Sequence, residues 1–361
     1  MKRASFLVLI TSLLTSALVN AGTRSGALSP EMVQARVSHL KLKPEEVRAL
    51  INRQVIVRSL ATGNSREVTG FGIVVADATP ESFTDSFRNL DYFRNQSSVM
   101  GSGKFSPTPS LSDLKDLTID HKDIMALAKC KVGESDIKLS KEEIASIRAL
   151  VSSSAQLTPA IKARLADEYK KRIVGRVESY LAEWAKAMVA YNDKGDPVNA
   201  HDAFLQLANE QAKNSGHCAQ FYQAISSFPQ ASAPDTESFV YWAKQKFGDM
   251  KPVINVVHVI IHRDGNRVLI ASKQLYSSHY TDAGLSVAEL IPFDNDPQGT
   301  PRTLVAYSLR LQVDMLGGAF GFMKKRMAQP KILGALKESL VGLRSNMEAT
   351  TQAAVSGRAA F

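Results

Sequence analysis

Residues 253–276 read VINVVHVIIHRDGNRVLIASKQLY. Val253 to Ile261 is dominated by β-branched residues, and Asp264-Gly265-Asn266 is a hairpin turn signal. Arg267 to Tyr276 is a second extended run, so two antiparallel strands are expected here. Side-chain alternation assigns their faces. Ile254, Val256, His258, Ile260 and His262 share one face of the first strand. Ser272, Gln274 and Tyr276 share one face of the second, with Ala271, Lys273 and Leu275 on the other. Gly284 to Ile291 and Thr303 to Val313 read as further strands. Toward the N-terminus, Gln54 to Leu60 and Glu67 to Ala76 flank the turn formers Ala61 to Ser65. The pattern predicts an α+β fold.

Helical spacing separates these strands. Pro44-Glu45-Glu46 opens a short helix with acids in its first turn, and Thr79 caps a helix that starts at Pro80. Residues 101–112 read as a loop and Leu117 to Lys129 as mostly extended. Lys141 to Val151 is helical. Ile161, Leu165, Tyr169, Ile173, Val177, Tyr180, Trp184, Met188 and Tyr191 form one apolar stripe of a helix from Thr158 to Tyr191. Pro197–Asn214, His217–Phe228 and Asp235–Phe247 are expected to complete a helical cluster. After a glycine-rich basic stretch, Gly317 to Met327, the stripe Ile332, Leu336, Leu340, Leu343 and Met347 predicts a long C-terminal helix.

The 361 residues carry 44 Lys+Arg against 35 Asp+Glu, an ordinary globular balance that excludes collagen-like and disordered classes. Met1-Lys2-Arg3, the uncharged run Ala4–Val19 and the small residues of Val19-Asn20-Ala21 form a secretory signal pattern, with cleavage after Ala21. The mature chain is expected to be periplasmic or secreted, with net charge falling from +9 to +7 as Lys2 and Arg3 leave. An exported protein of this charge is not expected to meet nucleic acid. Export also permits a disulfide between the two cysteines, Cys130 and Cys218, and two buried thiols are the alternative. No metal or cofactor motif stands up. His258 and His262 lie about 13 Å apart on a strand, too far to share one ion. Gly101-Ser102-Gly103-Lys104 lacks the flanking residues of a phosphate loop.

The strand ending in Ala76-Asp77-Ala78-Thr79-Pro80-Glu81-Ser82-Phe83, the antiparallel strands that follow and the closing helix resemble the START/SRPBCC superfamily, the helix-grip fold of polyketide cyclase and lipid-transfer relatives. The resemblance covers roughly 65–135 and 252–348. It implies a curved antiparallel sheet gripping the C-terminal helix, with a large helical insertion. The domain reading is a signal peptide (1–21), a leader with a short helix (22–53), a first part of the START-like domain (54–139), an inserted helical subdomain (140–250), the second part with the C-terminal helix (251–349) and a flexible tail (350–361).

In such a fold the cavity between sheet and helix would hold an apolar or amphipathic ligand. Gln274, Tyr276, His279, Tyr280 and His258 are the candidate ligand contacts, joined by Tyr307 and Arg310 on the last strand. The expected function is that of an exported binding protein for a lipid-like or other apolar molecule, serving envelope lipid transport. The alternative is an enzyme of cyclase or hydrolase type, with His279 as general acid or base. Phe320, Phe322, Lys324, Lys325 and Arg326 are the candidate contacts with an anionic membrane.

Overall fold

The computed structural model describes residues 30–358 except 91–97, 153–155, 188, 214–218, 229–234, 247, 294–298 and 319. The expected signal peptide (1–21) and Cys218 lie outside the described residues. Eight strands form one antiparallel sheet: β1 (Ile56–Arg58), β2 (Glu67–Ala76), β3 (Val99–Lys104), β6 (Thr236–Gln245), β7 (Val253–Asp264), β8 (Arg267–Ser277), β9 (Thr281–Phe293) and β10 (Arg302–Val313). Their order is β1-β2-β10-β9-β8-β7-β6-β3. The two-residue strands β4 (Ala190–Tyr191) and β5 (Val198–Asn199) pair separately. From β6 to β10 each strand pairs with the next, and β2 then pairs with β10, from Thr303↔Ala76 to Gln312↔Glu67.

Strands β2, β9 and β10 are buried along almost their whole length. An antiparallel sheet commonly leaves one face wet. Here helices cover both. On one side lies the helix α9 (Gly321–Arg358), the last of nine α-helices among the described residues. Its stripe Ile332, Leu336, Leu340, Leu343 and Met347 forms one apolar core with Val68, Val74, Val305, Leu309 and Leu311. Gly72 is required by this contact, because a Cβ there would overlap the Leu340 side chain. Helix α3 (Pro80–Arg88) adds Phe83 and Phe87 to the same face, and Thr79 accepts from the Ser82 N–H as its cap. The α+β class, with a long C-terminal helix on an antiparallel sheet, is thus the architecture of the chain.

The opposite face carries α4 (His121–Lys129), α5 (Lys141–Ser152), α6 (Pro159–Ala187), α7 (Ala200–Lys213) and α8 (Ala219–Ser227). Ile161, Leu165, Tyr169, Ile173, Val177 and Tyr180 share one core with Trp242, Val256, Ile260 and Tyr276 of the sheet. The short helices α1 (Pro30–Val37) and α2 (Pro44–Ile51) cover the far end of that face over Phe71, Ile73 and Leu304.

Several elements differ from the sequence expectation. Asp235–Phe247 is not a helix; Thr236–Gln245 is a sheet strand, so the helical segment expected over 140–250 stops at Ser227. Its Trp242 and Tyr241 lie on opposite faces, which suits a strand covered on both sides. Residues 121–129 are helical rather than extended, with Leu127 buried against the helical layer. Part of the loop expected at 101–112 is β3, an edge strand whose Gly101 and Gly103 pack under Trp242. The helix from Thr158 breaks at Glu183, which has extended backbone angles, and Tyr191 belongs to β4. The tail expected from 350 remains helical through Arg358.

Candidate functional site

Alternation on the sheet sends Phe71, Leu269, Val287, Glu289, Ala306 and Ser308 toward the helical layer. Between them and α7 and α8 lies a cavity of about 140 Å³. Gln211 and Tyr222 form its roof, and His39, Leu40, Lys41, Arg58 and Leu60 its rim. Lys41 holds φ 50°, a left-handed turn that brings the chain around the rim. The Arg58 guanidinium sits 4.7 Å from the Phe71 ring centroid and 3.2 Å from Glu46. Glu289 is the one acid of the lining; His39 Nε2 lies 2.9 Å from it and Arg267 Nη1 3.5 Å. The cavity therefore combines an apolar floor, a carboxylate held between two bases, and cations at its edge.

Charge continues beneath the helices. Arg310 of β10 is fully buried; its Nη1 donates to Glu67 at 2.6 Å and its Nε to Gln211 of α7 at 3.2 Å, while Nη2 has no hydrogen-bond partner. Glu67 also accepts from the Thr62 hydroxyl. Lys273 faces the same way on β8. Its Nζ donates to the Ile225 carbonyl at 3.3 Å and lies over the rings of Phe204 and Tyr180, 4.4 and 5.1 Å from their centroids. Burial holds this amine well below the ordinary lysine pKa. Its cross-strand neighbour His258 places Nδ1 2.7 Å from the Tyr180 hydroxyl, and Nε2 has no partner. Burial, then the Lys273 charge, keep His258 well below its ordinary pKa. The aromatic box closes over the Lys273 amine and leaves it no exposed surface.

The turn between β8 and β9 holds a third group. A bulge opposite Val256/Val257 shifts the register, pairing Val256 with Tyr276 and Val257 with Gln274. Tyr276 thereby moves to the helical face, away from the Gln274 face where alternation had placed it. Its hydroxyl lies 2.7 Å from that of Tyr169 and donates to the Lys138 carbonyl at 3.2 Å. Both His279 ring nitrogens are engaged, with the Asp136 carbonyl at 2.7 Å and Asp123 at 3.2 Å. Tyr280 has φ 67°, and its hydroxyl accepts from the Lys251 N–H at 3.1 Å. Lys138 is buried among Asp282 (2.7 Å), Asp314 (3.2 Å) and Asp193 (3.5 Å). Burial alone would lower its pKa, but the three carboxylates raise it above the ordinary value. Arg66 pairs with Asp282 as well. Asp193 also lines an open polar groove with Lys122, Asp136 and Lys194.

The remaining expected contacts lie elsewhere. Gln274 and Tyr307 are on the α9 face, so the expected set is divided between two faces and a turn. On that face Gln274 accepts from the Thr281 hydroxyl at 2.9 Å. Burial pushes the Tyr307 phenol up to about 12. Asn255 Nδ2 donates to Gln245 Oε1 at 3.1 Å, leaving Asn255 Oδ1 and Gln245 Nε2 without partners. Phe320, Phe322, Lys324 and Arg326 are exposed at the start of α9, and Lys325 donates to the Asn64 carbonyl. Cys130 is a buried, free thiol whose pKa burial raises; Cys218, its expected disulfide partner, lies outside the described residues. No group of three or more metal-ligating side chains occurs among the described residues.

Sequence reasoning missed Glu67, Glu289, Lys138 and the rim residues Lys41 and Arg58. The signal for Glu67 and Glu289 was present: a lone charge inside a strand with apolar neighbours needs a buried partner. No family model matches the chain, and no curated protein matches it in sequence.

Proposed function

We propose that the chain is an exported binding protein for a small amphipathic molecule, held in the cavity over Phe71, Leu269, Val287 and Ala306. The single observation that carries this reading is the cavity itself, about 140 Å³ with a mixed lining. A volume near 150 Å³ suits a benzene-sized body, roughly six to ten non-hydrogen atoms. The apolar part would rest on the floor. A hydrogen-bond donor of the ligand would meet Glu289, and an acidic group would meet Lys41 and Arg58 at the rim. A lipid-like ligand would place only a chain end or a small headgroup there. The enzymatic alternative draws less support, because His279 has both ring nitrogens engaged and is buried.

A second location for the ligand is favoured by the unpaired Asn255 and Gln245 atoms on the α9 face, near Gln274. That location agrees with the START-like resemblance, which the strand order supports by placing β2, the first long strand, beside β10, the last. One experiment separates the two. The protein is purified under native conditions, extracted with solvent, and the extract identified by mass spectrometry. Ala306→Leu fills the cavity on the helical face, and Asn255→Val removes the polar pair on the other. Loss of the bound molecule in Ala306→Leu alone, with circular dichroism unchanged, supports the cavity. Loss in Asn255→Val alone moves the site to the α9 face. A protein that carries nothing and binds no member of a panel of small aromatic and aliphatic acids overturns the reading.

A further inference from the structure

The first turns of α9 present an apolar patch that the sheet does not cover. Phe320 is 69% exposed, Phe322 74%, Met323 62% and Met327 64%. Among the described residues the other exposed large hydrophobic side chains, Met100, Leu111, Val132 and Val341, are scattered singly. Single exposed apolar residues are ordinary, whereas a contiguous cluster marks a contact surface. The backbone builds this cluster deliberately. Gly321 sits against the Leu316 carbonyl, where any Cβ would clash, and this tight turn leaves Phe320 and Phe322 pointing away from the sheet. Ala328 and Ile332, on the other side of the helix, are buried and hold it in place.

Charge selects the partner. From Gly317 to Lys337 the chain has Lys324, Lys325, Arg326, Lys331 and Lys337 and no acid; the first is Glu338. The helix has no acid in its first turn to offset its positive end. Met323 and Met327 are one turn apart, and the exposed Lys324 and Arg326 lie between them in sequence. Large apolar side chains projecting from a convex helix start, interleaved with cations, fit the boundary between headgroups and acyl chains of an anionic bilayer. We propose that this segment docks the protein on an anionic membrane, with Phe320, Phe322, Met323 and Met327 entering the interface and Lys324 and Arg326 contacting headgroups. Lys325 takes part less, since it is tied to Asn64. The proposal is independent of the cavity: a protein with an empty cavity would dock in the same way.

The test is sedimentation of the full chain, as its host matures it, with vesicles of phosphatidylcholine alone or with one-third phosphatidylglycerol. Binding is expected only to the anionic vesicles and falls at high salt. Lys324→Gln, Lys325→Gln and Arg326→Gln together are expected to weaken it by up to about a hundredfold, at roughly 1 kcal/mol per cation. Phe322→Ser, Met323→Ser and Met327→Ser together are expected to abolish it. Five of the six residues are exposed and only Lys325 gives up a hydrogen bond, to the Asn64 carbonyl, so the melting temperature should hold in the apolar variant and fall little in the cationic one. Binding at parental strength in either variant overturns the proposal. So does a parent that ignores both vesicle types, and so does a concentration-dependent dimer lost in the apolar variant, which would make a second copy of the chain the occupant.

Discussion

The two faces of the sheet are built in opposite ways. On the α9 face one long helix lies on β2, and the contact is apolar and close enough to require Gly72. On the other face five helices and two short N-terminal ones meet a sheet surface that carries Glu67, Arg310, Lys273, His258 and Glu289. A single helix with a regular ridge can fill a groove completely. Several short helices from one insertion leave gaps between them. In this molecule those gaps hold buried charge and the cavity. The tight glycine contact belongs to the α9 face, and the cavity with most of the sheet's buried charge to the other.

The largest effect expected from this contrast is at the Arg310–Glu67 pair. Glu67→Ala leaves a fully buried guanidinium without its carboxylate, so urea unfolding should show a loss of about 3–5 kcal/mol. A loss near zero would mean that water reaches the pair and that the helical face is less dry than the contact geometry indicates. Next is Gly72→Ala, which forces Leu340 to move; a loss of roughly 1–3 kcal/mol is expected. Combining it with Leu340→Ala should give less than the sum of the two single losses, and strict additivity would show that the helix does not approach as closely as described.

The smallest effect concerns pH. His258 has a folded pKa below its unfolded value, so unfolding takes up a proton when the pH is between the two. Its contribution to stability is complete above the ordinary histidine range and declines as the pH falls through and below about 6.5, by up to about 1.4 kcal/mol per pH unit. Lys273 acts with the same sign: its folded pKa is lowered, so stability should keep rising from neutral pH toward the ordinary lysine range. Denaturation midpoints measured from pH 5 to 9 in the parent, His258→Gln and Lys273→Met would show it. The first variant should flatten the acid limb and the second the alkaline limb. Parallel curves in all three proteins would place these groups in water.

Much of the sheet was readable in advance. Glu67–Ala76, the hairpin at Gly265-Asn266 and the last strand were expected almost at their observed limits, because β-branched runs bounded by turn formers carry a local signal. The stripe of α9 was readable for the same reason, since its period survives over four turns. Residues 236–245 misled because a strand buried on both faces loses its alternation, and ESFVYWAKQ can be read with either period. The candidate site was less legible. The bulge at Leu275 reversed the face of Tyr276, and a one-residue shift of that kind has no dependable mark in the local sequence.

The sequence by itself determined the strands at Glu67–Ala76 and from Val253 to Val313, the helices that start at Pro44, Pro80 and Lys141, and that the chain closes on an amphipathic helix preceded by glycines and cations. These follow from hydrophobic period, turn chemistry and capping, all of which act over a few residues. Only the tertiary structure decided that the insertion lies flat on the sheet, that Glu67 meets Arg310 across 243 positions, and that Glu289, Arg58 and Lys41 gather around one cavity. Charges in a nonpolar interior must find partners, and the partners available depend on which distant segments the packing brings within hydrogen-bond reach.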